Sequence, residues 1–128
     1  MRRLAVAIAV FLVTTASVAA ESRFQQSLRR LTATERLVQI CDYAAMQRVH
    51  KDHREYRPDR AVADAMTQTH IEKNTITAQG AAFRSHGKWY AISYSCTATP
   101  DNMQVRSFKY KIGGEIPQSK WAGYGLWE

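Results

Sequence analysis

Cys41 and Cys96 are the only cysteines in this 128-residue chain, and they lie downstream of an export signal. The chain opens MRRLAVAIAVFLVTTASVAAES. Arg2 and Arg3 form a charged n-region, Leu4 to Val13 is an apolar run, and VAA precedes Glu21 as a small-x-small cleavage site. Residues 1–20 therefore read as a secretory signal peptide cut after Ala20. An uncleaved anchor is the competing reading, but the run falls short of the about 20 residues that a membrane span needs. No later stretch is apolar enough to span, and no Cys follows the run to take a lipid. Outside the reducing cytoplasm, two cysteines are expected to pair. A buried free thiol and an intermolecular bond are the alternatives. The spacing offers no C-x-x-C redox motif, and no histidine pattern completes a zinc site. A crosslink of this span contributes about 4 kcal/mol in the chain-entropy model, a large part of a typical net stability of about 5–15 kcal/mol.

Cleavage leaves a single domain of modest core, divided into a flexible lead-in over 21–31 and one α+β domain over 32–128. Removing Arg2 and Arg3 takes Lys+Arg from 18 to 16 against 11 acids, so the mature charge is +5. Such a protein can meet anionic lipid head groups, acidic polysaccharide or acidic proteins, although a modest positive charge also serves solubility alone.

Thr32 and Glu35 have capping-box spacing. From there Leu37, Ile40, Cys41, Ala44, Ala45 and Val49 recur at helical intervals, which turns Cys41 inward. RPDRAVADAM predicts a second, shorter helix, with Pro58 in its first turn. From Asn74 the period changes to two. NTITAQGAAFRS reads as a strand interrupted near Gly80, SHGK as a turn, and KWYAISYSCTAT as the clearest strand. In that strand Tyr90, Ile92, Tyr94, Cys96 and Ala98 should face the helix, and Trp89, Ala91, Ser93, Ser95 and Thr97 should face away. MQVRSFKYKIG follows, with Phe108, Tyr110 and Ile112 on one face and Lys109 and Lys111 on the other. The tail predicts one or two helical turns before Gly123 and Gly125. The fold class is α+β: N-terminal helices packed on a small antiparallel meander, joined by a helix-to-sheet disulfide.

Few residues point to chemistry. His50 and His53 on the helix, with Asp52 and Glu55 beside them, are at most half of a metal site, so no metal or other cofactor is implied. Arg48, Lys51, Arg54, Arg57 and Arg60 recur every three residues, but that step drifts back about 60° per repeat on a helix. The charges spiral, no nucleic-acid stripe forms, and Arg48–Asp52 and Lys51–Glu55 are spaced to pair. No serine lies in a G-x-S-x-G context, and neither a phosphate loop nor H-E-x-x-H is present. No catalytic residue is assigned. Trp89, Lys109 and Lys111, outward by phase, are the candidate ligand or partner surface, for a glycan or another anionic ligand. For the rings themselves the preferred reading is core packing: the tail, with Trp121, Tyr124 and Trp127, folds over the sheet and buries them, because a domain of this size needs that apolar area.

The segments LVQICDYAAMQRV, RPDRAVADA, GAAFRSHGKWYAISYSCTATPDNMQVRSF and YKIGGEIP, with the closing W..Y.LW, resemble the alphaproteobacterial family catalogued as domain of unknown function 930. The resemblance runs from about Leu31 to Trp127. It implies an exported protein of a Gram-negative cell, hence a periplasmic address, with two cysteines placed like Cys41 and Cys96, and no activity to transfer. The expected function is non-enzymatic binding, with an anionic envelope component or another periplasmic protein as partner. A small envelope-modifying hydrolase is the alternative. A lysozyme-inhibitor-like role ranks lower, because a +5 protein and basic lysozyme repel at long range.

Overall fold

A computed structural model describes residues 21–128; the signal peptide read over residues 1–20 lies outside them. The chain runs α1 (Arg23–Arg29), α2 (Ala33–Asp52), β1 (Pro58–Val62), β2 (His70–Glu72), β3 (Thr75–Ser85), β4 (Lys88–Ala98) and β5 (Val105–Glu115). Two short 3-10 turns, Gln118–Lys120 and Ala122–Tyr124, complete the tail. The strands form one antiparallel sheet in the order β1-β3-β4-β5, with β2 on the other end of β3. The α+β class and the meander are as the sequence predicts. No helix of the described residues is long and apolar enough to cross a membrane.

The capping box at Thr32 forms: its hydroxyl accepts from the Glu35 N–H, and the Glu35 carboxylate accepts from the Thr32 N–H. Helix α2 buries Leu37, Ile40, Cys41, Ala45 and Val49. These pack on the inner face of the sheet with Ile76, Ala78, Phe83, Ile92, Tyr94, Cys96 and Phe108. Cys41 and Cys96 are disulfide-bonded, with their Cα atoms 6.0 Å apart. The bond ties the middle of the long helix to the last turn of strand β4, where both sulfur-bearing residues are fully buried.

Two expectations are corrected. The segment read as a flexible lead-in contains α1, capped by a second box in which Ser22 and Gln25 exchange hydrogen bonds. Its Leu28 is buried in the main core. Arg36 then fastens the junction: its guanidinium donates to the carbonyls of Leu28, Leu31 and Asp101, which links α1, α2 and the β4–β5 turn. The second helix is strand β1 instead, paired antiparallel with the end of β3. Pro58 suits the first residue of an edge strand as well as it suits a helix start, because neither position needs its missing donor. The strand wins because the sheet supplies partners: Ala61 lies opposite Phe83 and Val62 opposite Ala82, while Asp59 receives both ends of the Arg84 fork.

The interruption expected near Gly80 is real: the β3–β4 register shifts between Ala78 and Ala81. A Cβ at Gly80 would stand 2.4 Å from the Thr67 backbone nitrogen. The glycine is there for close approach of the 63–69 loop, whose Met66 N–H donates to the Gly80 carbonyl.

The outer face of the sheet divides in two. Around Ala82 and Trp89 it carries a second apolar cluster, covered by Ile116, Trp121 and Leu126 of the tail. Val62, Ala65 and Met66 close the flank. Toward the far ends of β3, β4 and β5 no apolar cluster of the described residues covers it.

Candidate functional site

The uncovered half of the outer face is set by register. Residues directly opposite one another share a face, so the pairings build two cross-strand rows. One runs His70–Thr77–Ser95–Lys109 and the other Glu72–Thr75–Thr97–Ser107. Ser93 opposite Lys111 starts a third. Hydroxyls thus stand about 4.8 Å apart across strands and about 7 Å apart along them. Lys109 and Lys111 are exposed, and Ser95 and Ser107 lie open beside them. Thr75 and Thr97 hydrogen-bond to each other at 2.9 Å, which stiffens the plane. Glu72, at the β2 margin, is the only acid in these rows.

Trp89 does not belong to this surface. It takes the outward face, as its phase predicts, but it is 0% exposed. Its indole N–H donates to the Trp127 carbonyl at 2.7 Å, and its ring meets Trp127 edge-on. The tail covers the side of the strand that alternation alone assigns to solvent. Lys109 and Lys111 stay together, one strand repeat apart, without the aromatic partner the sequence suggested.

Two local pairs form in the histidine and basic segment, and the expected Lys51–Glu55 pair is not one of them. Arg48 lies 3.8 Å from Asp52, as its spacing predicts, whereas Glu55 sits 3.9 Å from His53. Asp52 also accepts from the Tyr110 hydroxyl at 2.6 Å, a bond that holds its carboxyl below the usual range. Among the described residues no group of three or more His, Cys, Asp or Glu side chains could hold a metal ion.

A concave feature elsewhere was not expected from the sequence. A groove runs between α2 and edge strand β1, with one lobe of about 330 Å³ lined by Tyr43, Met46, Gln47, His50, Arg57, Pro58 and Asp59. A neighbouring lobe of about 310 Å³ shares Tyr43, Met46 and Asp59 and reaches Phe24 and Asp42. Asp42 is partly buried, and its Oδ1 accepts from the Tyr94 hydroxyl at 2.9 Å. Burial pushes the Asp42 carboxyl up to about 7, against the hydrogen bond from Tyr94 and with help from the charge of Asp64. Burial and the Asp42 charge push the Tyr94 phenol far above its ordinary range. The pair spans 52 residues of sequence, so helical or strand phase alone could not announce it.

This carboxyl makes a signed pH prediction. An acid whose folded pKa exceeds its unfolded value takes up a proton on folding between the two, so its contribution to stability falls as pH rises from about 4 to about 7. Asp59 and Asp101 are shifted the other way, by the Arg84 fork and by the Thr99 hydroxyl respectively, and lose their contribution only below about pH 4. Acidification from pH 8 to pH 5 should therefore raise the unfolding free energy of the wild type by roughly 2–3 kcal/mol. Asp42→Asn, which keeps an acceptor for Tyr94, should be the more stable protein at pH 8 and should lack that rise. Urea titrations at the two pH values test it, and parallel slopes for both proteins would refute the assignment.

A model of the family described as Domain of Unknown Function (DUF930) matches residues 28–126. No curated protein and no solved structure matches the chain.

Proposed function

We propose, starting from a chain that belongs to the DUF930 family, that it is an exported periplasmic domain acting by non-covalent binding, with an anionic envelope component as its ligand. The signal-peptide pattern of residues 1–20 and the helix-to-sheet disulfide support the compartment. The resemblance to an alphaproteobacterial family supports a Gram-negative envelope.

The observation that carries the binding role is the open half of the sheet's outer face. It is open and hydroxyl-lined, and Lys109 and Lys111 project where no carboxylate of the same rows stands beside them. A regular lattice of hydroxyl donors and acceptors, flanked by ammonium groups, suits an extended polymer with repeating negative charge, and acidic polysaccharide is the polymer this surface fits. The tail supports the same reading indirectly. By capping the apolar half of the face it leaves the polar half as the accessible part.

Polygalacturonate is a workable probe. The wild type should bind it with an affinity that falls as salt rises, because exposed charges are screened beyond about 8–10 Å. Lys109→Glu/Lys111→Glu should lower the affinity by about tenfold or more and flatten the salt dependence. Both side chains are exposed, so the variant should unfold at the wild-type midpoint. Equal binding by the two proteins would remove this reading.

The hydrolase reading draws on one observation, the Asp42 carboxyl near 7 at the edge of a groove. A general acid needs such a value. Its side-chain partner, however, is a phenol held in its protonated form, which supplies neither a base nor a nucleophile.

A further inference from the structure

The groove between α2 and β1 has a chemistry of its own, distinct from the open sheet face. Its floor is apolar, made by Met46, Pro58 and the Tyr43 ring. Its polar groups differ in how far the protein already uses them. Asp59 is spent: both carboxylate oxygens accept from Arg84 at 2.9 Å, and that hydrogen-bonded pair keeps the carboxyl ionised and neutralised. Arg57 is not. Its backbone N–H donates to the buried Ser85 hydroxyl, which fixes the residue at the head of β1. Its guanidinium makes no ion pair among the described residues. His50 is oriented by its Nδ1, 2.7 Å from the Tyr56 carbonyl. A carbonyl only accepts, so Nδ1 carries the hydrogen and Nε2 is the nitrogen left over. The main lobe of the groove therefore combines an apolar trough with an unpaired cation and a fixed imidazole, and the one carboxylate lining that lobe is already paired.

We propose that this groove binds a small amphipathic carboxylate, with the head group on Arg57 and the apolar body laid along Tyr43, Met46 and Pro58. Charge complementarity selects the anion, and the planar guanidinium fork selects carboxylate geometry. The main lobe, about 330 Å³ and open on one side, has room for a short apolar chain beside the head group. Tyr43 is among the few exposed large apolar side chains of the domain, and it leans on Phe24 of α1 with ring centroids 4.7 Å apart. The helix that the lead-in forms thus supports one wall of the groove.

Octanoate and 1-octanol separate the head-group contribution from the apolar one. In amide-resolved NMR titrations, octanoate should shift resonances of Tyr43, Met46, Gln47, His50 and Arg57 saturably, and octanol should bind at least about tenfold more weakly. Arg57→Gln retains the backbone bond to Ser85, so the fold persists. It should weaken octanoate by about tenfold while leaving octanol unchanged. Met46→Trp, which fills the trough, should abolish both. Equal binding of octanoate and octanol, an Arg57→Gln variant that binds octanoate normally, or shifts confined to the exposed Trp127, away from the groove, would each overturn the proposal. Lys109 and Lys111 take no part, so the outcome is independent of polysaccharide binding by the sheet.

Discussion

Removing the Cys41–Cys96 bond should cost this domain about 4 kcal/mol of unfolding free energy. The bond closes a loop of 55 residues that includes half of α2, all of β1, β2 and β3, and most of β4. Without it the unfolded chain regains the freedom to separate those elements. The packing that remains is thin where helix meets sheet, since α2 contributes Leu37, Ile40, Ala45 and Val49 but no aromatic side chain to its buried set. A typical domain has only about 5–15 kcal/mol in hand. The Cys41→Ala/Cys96→Ala variant should therefore unfold at a much lower urea concentration than the oxidised wild type, and the wild type should approach it when reductant is added in denaturant and then removed under thiol-blocking conditions. A loss under about 1 kcal/mol would mean that core contacts hold the helix on the sheet without the crosslink.

The second large effect belongs to Trp89. Trp89→Ala should destabilise by about 3–5 kcal/mol, the range for deleting a large buried aromatic side chain. The indole is enclosed by Ala82, Ile116, Trp121 and Leu126, and it holds the tail through its hydrogen bond to the Trp127 carbonyl. Trp89→Phe separates the two contributions. It keeps most of the volume and should lose about 1 kcal/mol for the missing donor. Chemical denaturation of the three proteins gives the ranking. A Trp89→Ala variant within about 1 kcal/mol of wild type would show that the tail cluster stands without its central ring. Lys109 and Lys111 lie on the other half of the face, so Trp89→Phe should leave polygalacturonate binding unchanged.

Much of this architecture was legible because it rests on local pattern. The capping box at Thr32, the spacing of Leu37, Ile40, Cys41, Ala45 and Val49, and the strict alternation through β4 all act within a few residues. The Ser22–Gln25 box was equally visible as S-x-x-Q, but the sparse apolar residues around it hid that Leu28 alone anchors the short helix. Residues 57–66 misled because Pro58 and Asp59 satisfy a helix start and an edge strand alike. Only the presence of β3, with Phe83, Ala82 and Arg84 at matching register, decides between them.

The candidate surface was partly legible for the same reason. Alternation placed Lys109, Lys111 and Trp89 on the outer face correctly, and it has no means of saying that a tail 38 residues later returns to cover one of them. The groove depends on β1 being a strand beside α2, and the Asp42–Tyr94 pair on how α2 lies over β4. The groove was out of reach once residues 57–66 were read as helix, and the pair because 52 residues of sequence separate its partners.

The exported, stapled state is tested most directly by peptide mapping of the protein recovered from its own cells, with free thiols blocked at lysis and no reductant added. The expected result is a mature N-terminus at Glu21 and a single crosslinked peptide pair containing Cys41 and Cys96. Recovery of the chain with residues 1–20 still attached and both cysteines carrying the blocking group would contradict it.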